Sequence, residues 1–167
     1  MSAPKLNPSI QYWITSDTHY GHRYVAINQR NFATIEEHDN YLIEVHNSLV
    51  KPEDIVIHLG DVTFHNKANA QALFTKLQGH CIFVPGNHDS SRILNRLVEV
   101  KQDLGFNFSA IWPRLHEIKV GDTYVALCHY PLTSWNHSDS PVVKSVNLHG
   151  HLHGTAGHHD AAPYTGN

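Results

Sequence analysis

Residues 54–89 read DIVIHLGDVTFHNKANAQALFTKLQGHCIFVPGNHD, and this stretch decides the fold. It opens on a short apolar run, 54–59, stopped by Gly60 and Asp61, the pattern of a buried strand. From residue 66 to 78, Ala70, Leu73, Phe74 and Leu77 recur at helical spacing, and Gly79 stands where a helix C-cap is expected. A second apolar run, 81–84 (CIFV), leads straight into Pro85, Gly86, Asn87, His88 and Asp89. Strand, helix and strand at these lengths form an α/β unit with parallel strands.

The alternation extends outward. Residues 9–16 (SIQYWITS) read as a first strand ending at Asp17. Thr34 and Glu37 have the spacing of a capping box, and Tyr41, Leu42, Val45 and Leu49 continue a helix that stops near Pro52. Beyond Asp89 the pattern predicts a helix and an irregular connection over 92–112. A hairpin of 115–120 and 123–128 follows, turning at Gly121 and Asp122, and then a short strand over 146–149. With no repeat or linker, residues 1–167 read as one domain, a core of 9–154 and a tail of 155–167.

Composition limits the function classes. Of 167 residues 41% are hydrophobic, enough for a core, and 16% are charged, below the usual ~25%, which argues against disorder. A formal net charge of −3 disfavours a protein that wraps long nucleic acid. No apolar stretch approaches the ~20 residues needed to span a bilayer, and the N-terminus has no apolar signal core, so a cytoplasmic protein with no membrane partner is expected. Cys81 and Cys128, both in apolar runs, make neither a disulfide framework nor a four-sulfur metal site. One count is out of line: 16 histidines against 12 lysines and arginines together.

Ligands of open α/β sheets bind beyond the carboxyl ends of the strands, and here those ends carry a one-sided list. In order they are Asp17 and His19, Asp61, Asn87 with His88 and Asp89, His129, and His151 with His153. Carboxylate, imidazole and amide oxygen form the donor mix for divalent transition metals. The Asp-x-His and His-x-His spacings put both side chains of each pair on one side of an extended end. Asp17, His19, Asp61, Asn87, His129, His151 and His153 are too many for one ion. If Asp61 is shared, two ions each receive four protein ligands and can activate water between them. His22 and His65 either line the crevice at these strand ends and orient ligands or are polar loop residues, and Arg23 and Arg92, close behind metal motifs, either contact substrate or are solvated helix-end charges. His58 reads as an interior hydrogen-bonded residue, and His38, His46 and His116 as surface positions. No role is assigned to His158 and His159 in the tail.

These motifs, in this order, resemble the full motif set of the calcineurin-like metallophosphoesterases, and the opening Asp17-Thr-His-Tyr-Gly-His22 looks like the small stand-alone bacterial and phage members. The resemblance implies a two-sheet β-sandwich flanked by helices and a metal-dependent phosphoesterase with a dinuclear centre. Asp17, His19, Asp61 and His153 would hold one metal, and Asp61, Asn87, His129 and His151 the other. His88 would be the catalytic acid, with Asp89 orienting its ring. The metals could be Mn, Fe, Zn, Ni or Co, with Mn favoured in vitro. The short stretch between Asp89 and His129 leaves no room for a cap domain, and the short tail leaves the fold lacking its last strand or two. Phosphodiesters, small or nucleotide-like, are the favoured substrates. A phosphomonoesterase or protein phosphatase, a nuclease, and a non-enzymatic metal-binding scaffold for protein contacts are the alternatives.

Overall fold

The computed structural model describes residues 4–106 and 109–153; the tail after residue 153, with His158 and His159, lies outside the described residues. The first sheet consists of β1 (Tyr12–Thr15), β2 (Ile55–His58), β3 (His80–Phe83) and β4 (Ala110–Ile111). All are parallel and lie in the order β1-β2-β3-β4. Because the order advances one strand at a time, right-handed crossovers place every connecting helix on the same face. That face receives α1 (Ile35–Leu49), α2 (Lys67–Phe74) and α3 (Ser91–Asp103). The other face is free for a second sheet, β5 (Leu115–Val120), β6 (Thr123–Cys128) and β7 (Ser145–Leu148), with β5-β6 antiparallel and β6-β7 parallel.

Strand alternation divides the core between these two faces. Cys81 and Phe83 join Leu73, Phe74, Leu94 and Leu97 under the helices. Ile55, Ile57, Leu59, Ile82 and Val84 pack against Ile118, Val125 and Leu127 between the sheets. Each such side chain, fully buried, contributes about 1.5–3 kcal/mol. β1 is the edge strand of its sheet, and its Ile14 is exposed.

The local signals act as read, with several differences, one being that the connection expected to be irregular over 92–112 contributes β4 to the first sheet. Thr34 caps α1 by accepting from the Glu37 amide at 3.0 Å. Helix α2 ends at Phe74 rather than 78, because α1 offers the turn after it better partners: Asn47 donates to Lys76 O and accepts from Gln78 N, and His46 Nε2 lies 2.9 Å from Gln78 O. A π-helical turn, Val25–Gln29, follows the first motif where no element was expected. Finally, His38 on α1 is fully buried, and His46 and His116 are half-buried, rather than on the surface.

Candidate metal centre

Pairing between the chain segments continues past the strand ends. Asp17 N donates to Gly60 O at 3.0 Å, His19 N to Asp61 O at 3.1 Å and Tyr20 N to Val62 O at 3.1 Å. The loops carrying Asp17, His19 and Asp61 therefore run side by side. The third loop packs directly on the second, since a Cβ on Gly60 would lie 2.4 Å from the Gly86 nitrogen and 2.9 Å from His129 Nδ1. Only glycine permits that approach, and its φ of +93° is one that side chains rarely adopt.

The side chains do not converge by simple pleat alternation. Among the described residues seven non-glycine positions have positive φ, and five are Asp17 (53°), His19 (50°), Asp61 (55°), His151 (72°) and His153 (51°). Each kink turns a side chain out of the strand direction into a common space. Conformations of this kind are unfavourable for most side chains and cluster at functional sites.

One ligand atom from each of Asp17, His19, Asp61 and His153 lies within 4.8 Å of all the others. His19 Nε2 and His153 Nε2 are 2.8 Å apart, and His153 Nε2 is 3.2 Å from Asp17 Oδ1. That oxygen is nevertheless buried without a hydrogen-bond partner, so the lone pairs face a shared point rather than one another. A divalent cation fits this donor set. Burial would raise the Asp17 carboxyl, but the nearby His19 ring and Ser16 hydroxyl, the bond from the His151 amide and the charge of His129 hold it far below the usual carboxylate range.

Across Asp61 lies a second group. His129 Nδ1 sits 2.8 Å from Leu59 O, which accepts its proton, so Nε2 faces Asn87 Oδ1 at 2.9 Å and Asp61 Oδ2 at 3.4 Å. An imidazole nitrogen opposite two oxygens requires positive charge between them. Burial, the largest single influence, disfavours an imidazolium, but the bonds to Asp61 and Leu59 O and the charges of Asp61 and Asp17 together outweigh it, and His129 is shifted upward. Asp61 is correspondingly shifted down, against the effect of burial. A bound cation would satisfy the same oxygens. The His151 ring stands beside this group, 5.1 Å between centroids from His129.

The remaining expected residues divide. The His88 ring is exposed at the rim, 5.1 Å from the Phe64 ring, while its amide donates to Asp61 Oδ1 at 3.0 Å. Asp89 does not orient that ring. Its Oδ2 accepts from Asp61 N and Gly86 N, both at 2.8 Å, and its Oδ1 from Val62 N at 2.9 Å. The left-handed turn at Asp61 makes these amides converge, and the carboxylate is consumed in holding the loop. His22 lines the cleft and stacks on Phe64 with centroids 4.0 Å apart. His65 instead bonds Asp39, at 2.6 Å. Arg23 and Arg92 are exposed and line no part of the cleft; Arg92 borders a separate hollow with Lys67 and Ser90.

Two arginines not singled out in the sequence hold the loops by their carbonyls. Arg30 donates to Asp17 O and Thr18 O, and Arg114 to Pro85 O and Gly86 O. Neither left a signal, because a loop arginine aimed at backbone looks like a solvated charge. His38 did leave one: it stands one helical turn before Leu42, which packs against the core under α1.

Two sheets in a sandwich, with Asp and His donors gathered at the ends of the parallel strands, define a metal-dependent hydrolase class. The sequence model for calcineurin-like phosphoesterase matches residues 10–163. The chain belongs to that family, whose members hydrolyse phosphoesters with divalent metals. It is 35% identical over 102 residues to the uncharacterized protein MJ1445 of Methanocaldococcus jannaschii, covering 59% of this chain and 56% of that one. It is 31% identical over 159 residues to the gene 66 protein of Mycobacterium phage D29, covering 84% of this chain and 77% of that one. A crystal structure of a protein of unknown function, AQ665 from Aquifex aeolicus, aligns with a TM-score of 0.54 at 29% identity, over 73% of this chain and 61% of that one. The chain thus spans just over half the length of the archaeal relative. No helix among the described residues is long and apolar enough to cross a membrane.

Proposed function

We propose that the protein hydrolyses small phosphodiesters, nucleotide-like ones included, with two divalent ions held around Asp61. The observation that carries this reading is the position of one oxygen. Asp61 Oδ2 lies 3.8 Å from His19 Nε2 and 3.4 Å from His129 Nε2, so a single carboxylate oxygen faces both donor groups. Asp17, His19, Asp61 and His153 would hold one ion, and Asp61, Asn87, His129 and His151 the other. When bound, the ions neutralise phosphate charge and lower the pKa of water, and Mn²⁺ is the ion we would supply in vitro.

The chain's own residues then do two things. The cleft, of about 400 Å³, is of a size for a small ligand rather than a long polymer. Its lining among the described residues contains His22, Tyr24, Gln29 and His88 but no lysine or arginine, so beyond the ions themselves no fixed cation favours a dianionic monoester over a diester. His88 stands at the rim with its ring uncommitted to a hydrogen bond among the described residues, placed to protonate the departing oxygen.

The test compares bis(p-nitrophenyl) phosphate with p-nitrophenyl phosphate, using Mn²⁺, in the wild type and in Asp61→Asn. The expected result is a higher kcat/KM for the diester, and loss of both turnover and bound metal in the variant. A large advantage for the monoester overturns the diester assignment. Two equivalents of metal retained by Asp61→Asn overturn the shared carboxylate.

A further inference from the structure

Behind the Asp17–His19 loop, on the side away from the cleft, lies a buried polar cluster that the proposed hydrolysis does not use. Its centre is Asp39 in α1. Asp39 Oδ1 is 2.8 Å from His38 Nδ1, Oδ2 is 2.6 Å from His65 Nε2, and both oxygens accept from Gly21 N at 3.1 Å. Arg30 Nη1 reaches Thr18 O at 3.0 Å and His38 Nε2 at 2.8 Å, while Nη2 donates to Asp17 O at 2.5 Å.

Chemistry fixes the direction of every bond. Arginine has only donors, so His38 Nε2 accepts, and His38 is neutral with its proton on Nδ1, donating to Asp39. Burial pushes the His38 ring down from its ordinary value, in keeping with that neutral form. His65 Nε2 then donates to the other oxygen. Arg30, His38 and Asp39 form one polarised chain, and His65 closes it from the loop that follows Asp61.

What the chain holds is the awkward part of the site. Between its contacts at Asp17 O, Thr18 O and Gly21 N lie two left-handed residues, Asp17 and His19, both candidate ligands. Gly21 completes the fit, since a Cβ there would lie 2.6 Å from His65 Nδ1. Asp and His enter the left-handed region more readily than most side chains but only as a minority state, so two such residues at 17 and 19 call for an external restraint to select that backbone.

We propose that Arg30, His38, Asp39 and His65 are positioning residues that preset the Asp17–His19 loop for its metal and thereby set the affinity of that site. The proposal rests on the reading of Asp17 and His19 as ligands. Outer-shell partners of metal ligands typically change metal affinity by about 10–100-fold when replaced. Asp39→Asn puts an N–H where His38 or His65 already donates, and Arg30→Met removes both carbonyl bonds.

The experiment is calorimetric titration of metal-free full-length protein with Mn²⁺, alongside thermal melts in chelator. Asp39→Asn and Arg30→Met should weaken one binding event by about 10–100-fold and leave any second event within about threefold. Arg30→Lys should fall between wild type and Arg30→Met. His65→Gln, which keeps a donor toward Asp39, should bind more tightly than His65→Leu; this pair serves if the buried variants do not fold. Asp17→Asn is the control for the ligand reading. If it leaves Mn²⁺ binding unchanged, that reading fails. If it weakens binding while every folded variant of the cluster binds as wild type does, the cluster is structural only and the proposal is overturned. Equal weakening of both events would also overturn it.

Discussion

Acid should destabilise this protein through His58 in a way that can be isolated. His58 closes β2, is fully enclosed, and is committed at both nitrogens. Gly60 N donates to Nδ1 at 3.2 Å, so the proton sits on Nε2 and is given to Thr18 Oγ1 at 2.9 Å, which itself donates to Val62 O at 2.9 Å. Protonating Nδ1 would place a charge in the interior and set two N–H groups against each other. Burial accordingly drives the ring's pKa down to about 4 from its ordinary 6.5, although the carboxylates of Asp89, Asp17 and Asp61 pull the other way. Below pH 6.5 the unfolded chain takes up a proton that the native state refuses, so stability is lost as pH falls and the loss ends near pH 4. At about 1.36 kcal/mol per pH unit, the full window is worth about 3 kcal/mol and the interval from pH 6.5 to 5 about 2 kcal/mol.

The assay is urea unfolding of metal-free protein between pH 7.5 and 5, for wild type and for His58→Gln. The glutamine carries no titrating group and can still donate toward Thr18. It will be less stable at pH 7.5, but the comparison concerns slopes. Every other histidine and carboxylate contributes to both proteins and cancels in the difference. The gap between the two should shrink by about 2 kcal/mol on acidification to pH 5. Parallel curves across that range would refute the reasoning, since they would mean that His58 titrates alike in the folded and unfolded chain, and a gap that widens in acid would mean that His58 is charged in the folded protein.

Asp89→Ala should strand the amides of Asp61, Val62 and Gly86, at about 1–3 kcal/mol for each left unsatisfied, read by urea unfolding of the metal-free protein. An effect confined to the leaving-group dependence of hydrolysis, with stability intact, would restore Asp89 to a role on the His88 ring. Mn²⁺ at about 100 times its dissociation constant should stabilise the fold by about 2.7 kcal/mol, a rise in Tm of roughly 5–10 °C that chelator reverses. A melting curve indifferent to Mn²⁺ and to chelator would argue against the ligand set.

The sequence was most legible where one interaction dominates. The buried runs at 55–59 and 81–84 could only be central strands, and the Thr34 cap and the two-residue turn at Gly121 act within a few bonds. The strand-end residues were legible as a set because their chemistry is unusual at that position. Asp89 was misread because adjacency to His88 suggested contact, whereas a carboxylate next to a left-handed turn finds three convergent amides first. Arg30 and Arg114 could not be found from sequence, since their partners are carbonyls, which every residue possesses. The end of α2 failed for a related reason: Asn47, far away in the chain, supplies the bonds that stop the helix.

The left-handed residues connect these observations. Five of them at candidate ligand positions represent a cost of about 1 kcal/mol or more apiece, not negligible against the ~5–15 kcal/mol by which domains are stable. A local sequence preference cannot explain them, because histidine and aspartate adopt this region only as a minority state. They persist because rigid partners restrain them on the far side: Asp89 on the amides after Gly60, Arg30 on the carbonyls of Asp17 and Thr18, and Asp17 Oδ2 on the His151 amide at 2.9 Å. Each restraint reaches backbone, and Asp17, which supplies one of them through Oδ2, keeps its Oδ1 without a hydrogen-bond partner. The backbone strain is therefore balanced by contacts within the protein itself, and the same contacts turn the candidate donors toward one another across three loops.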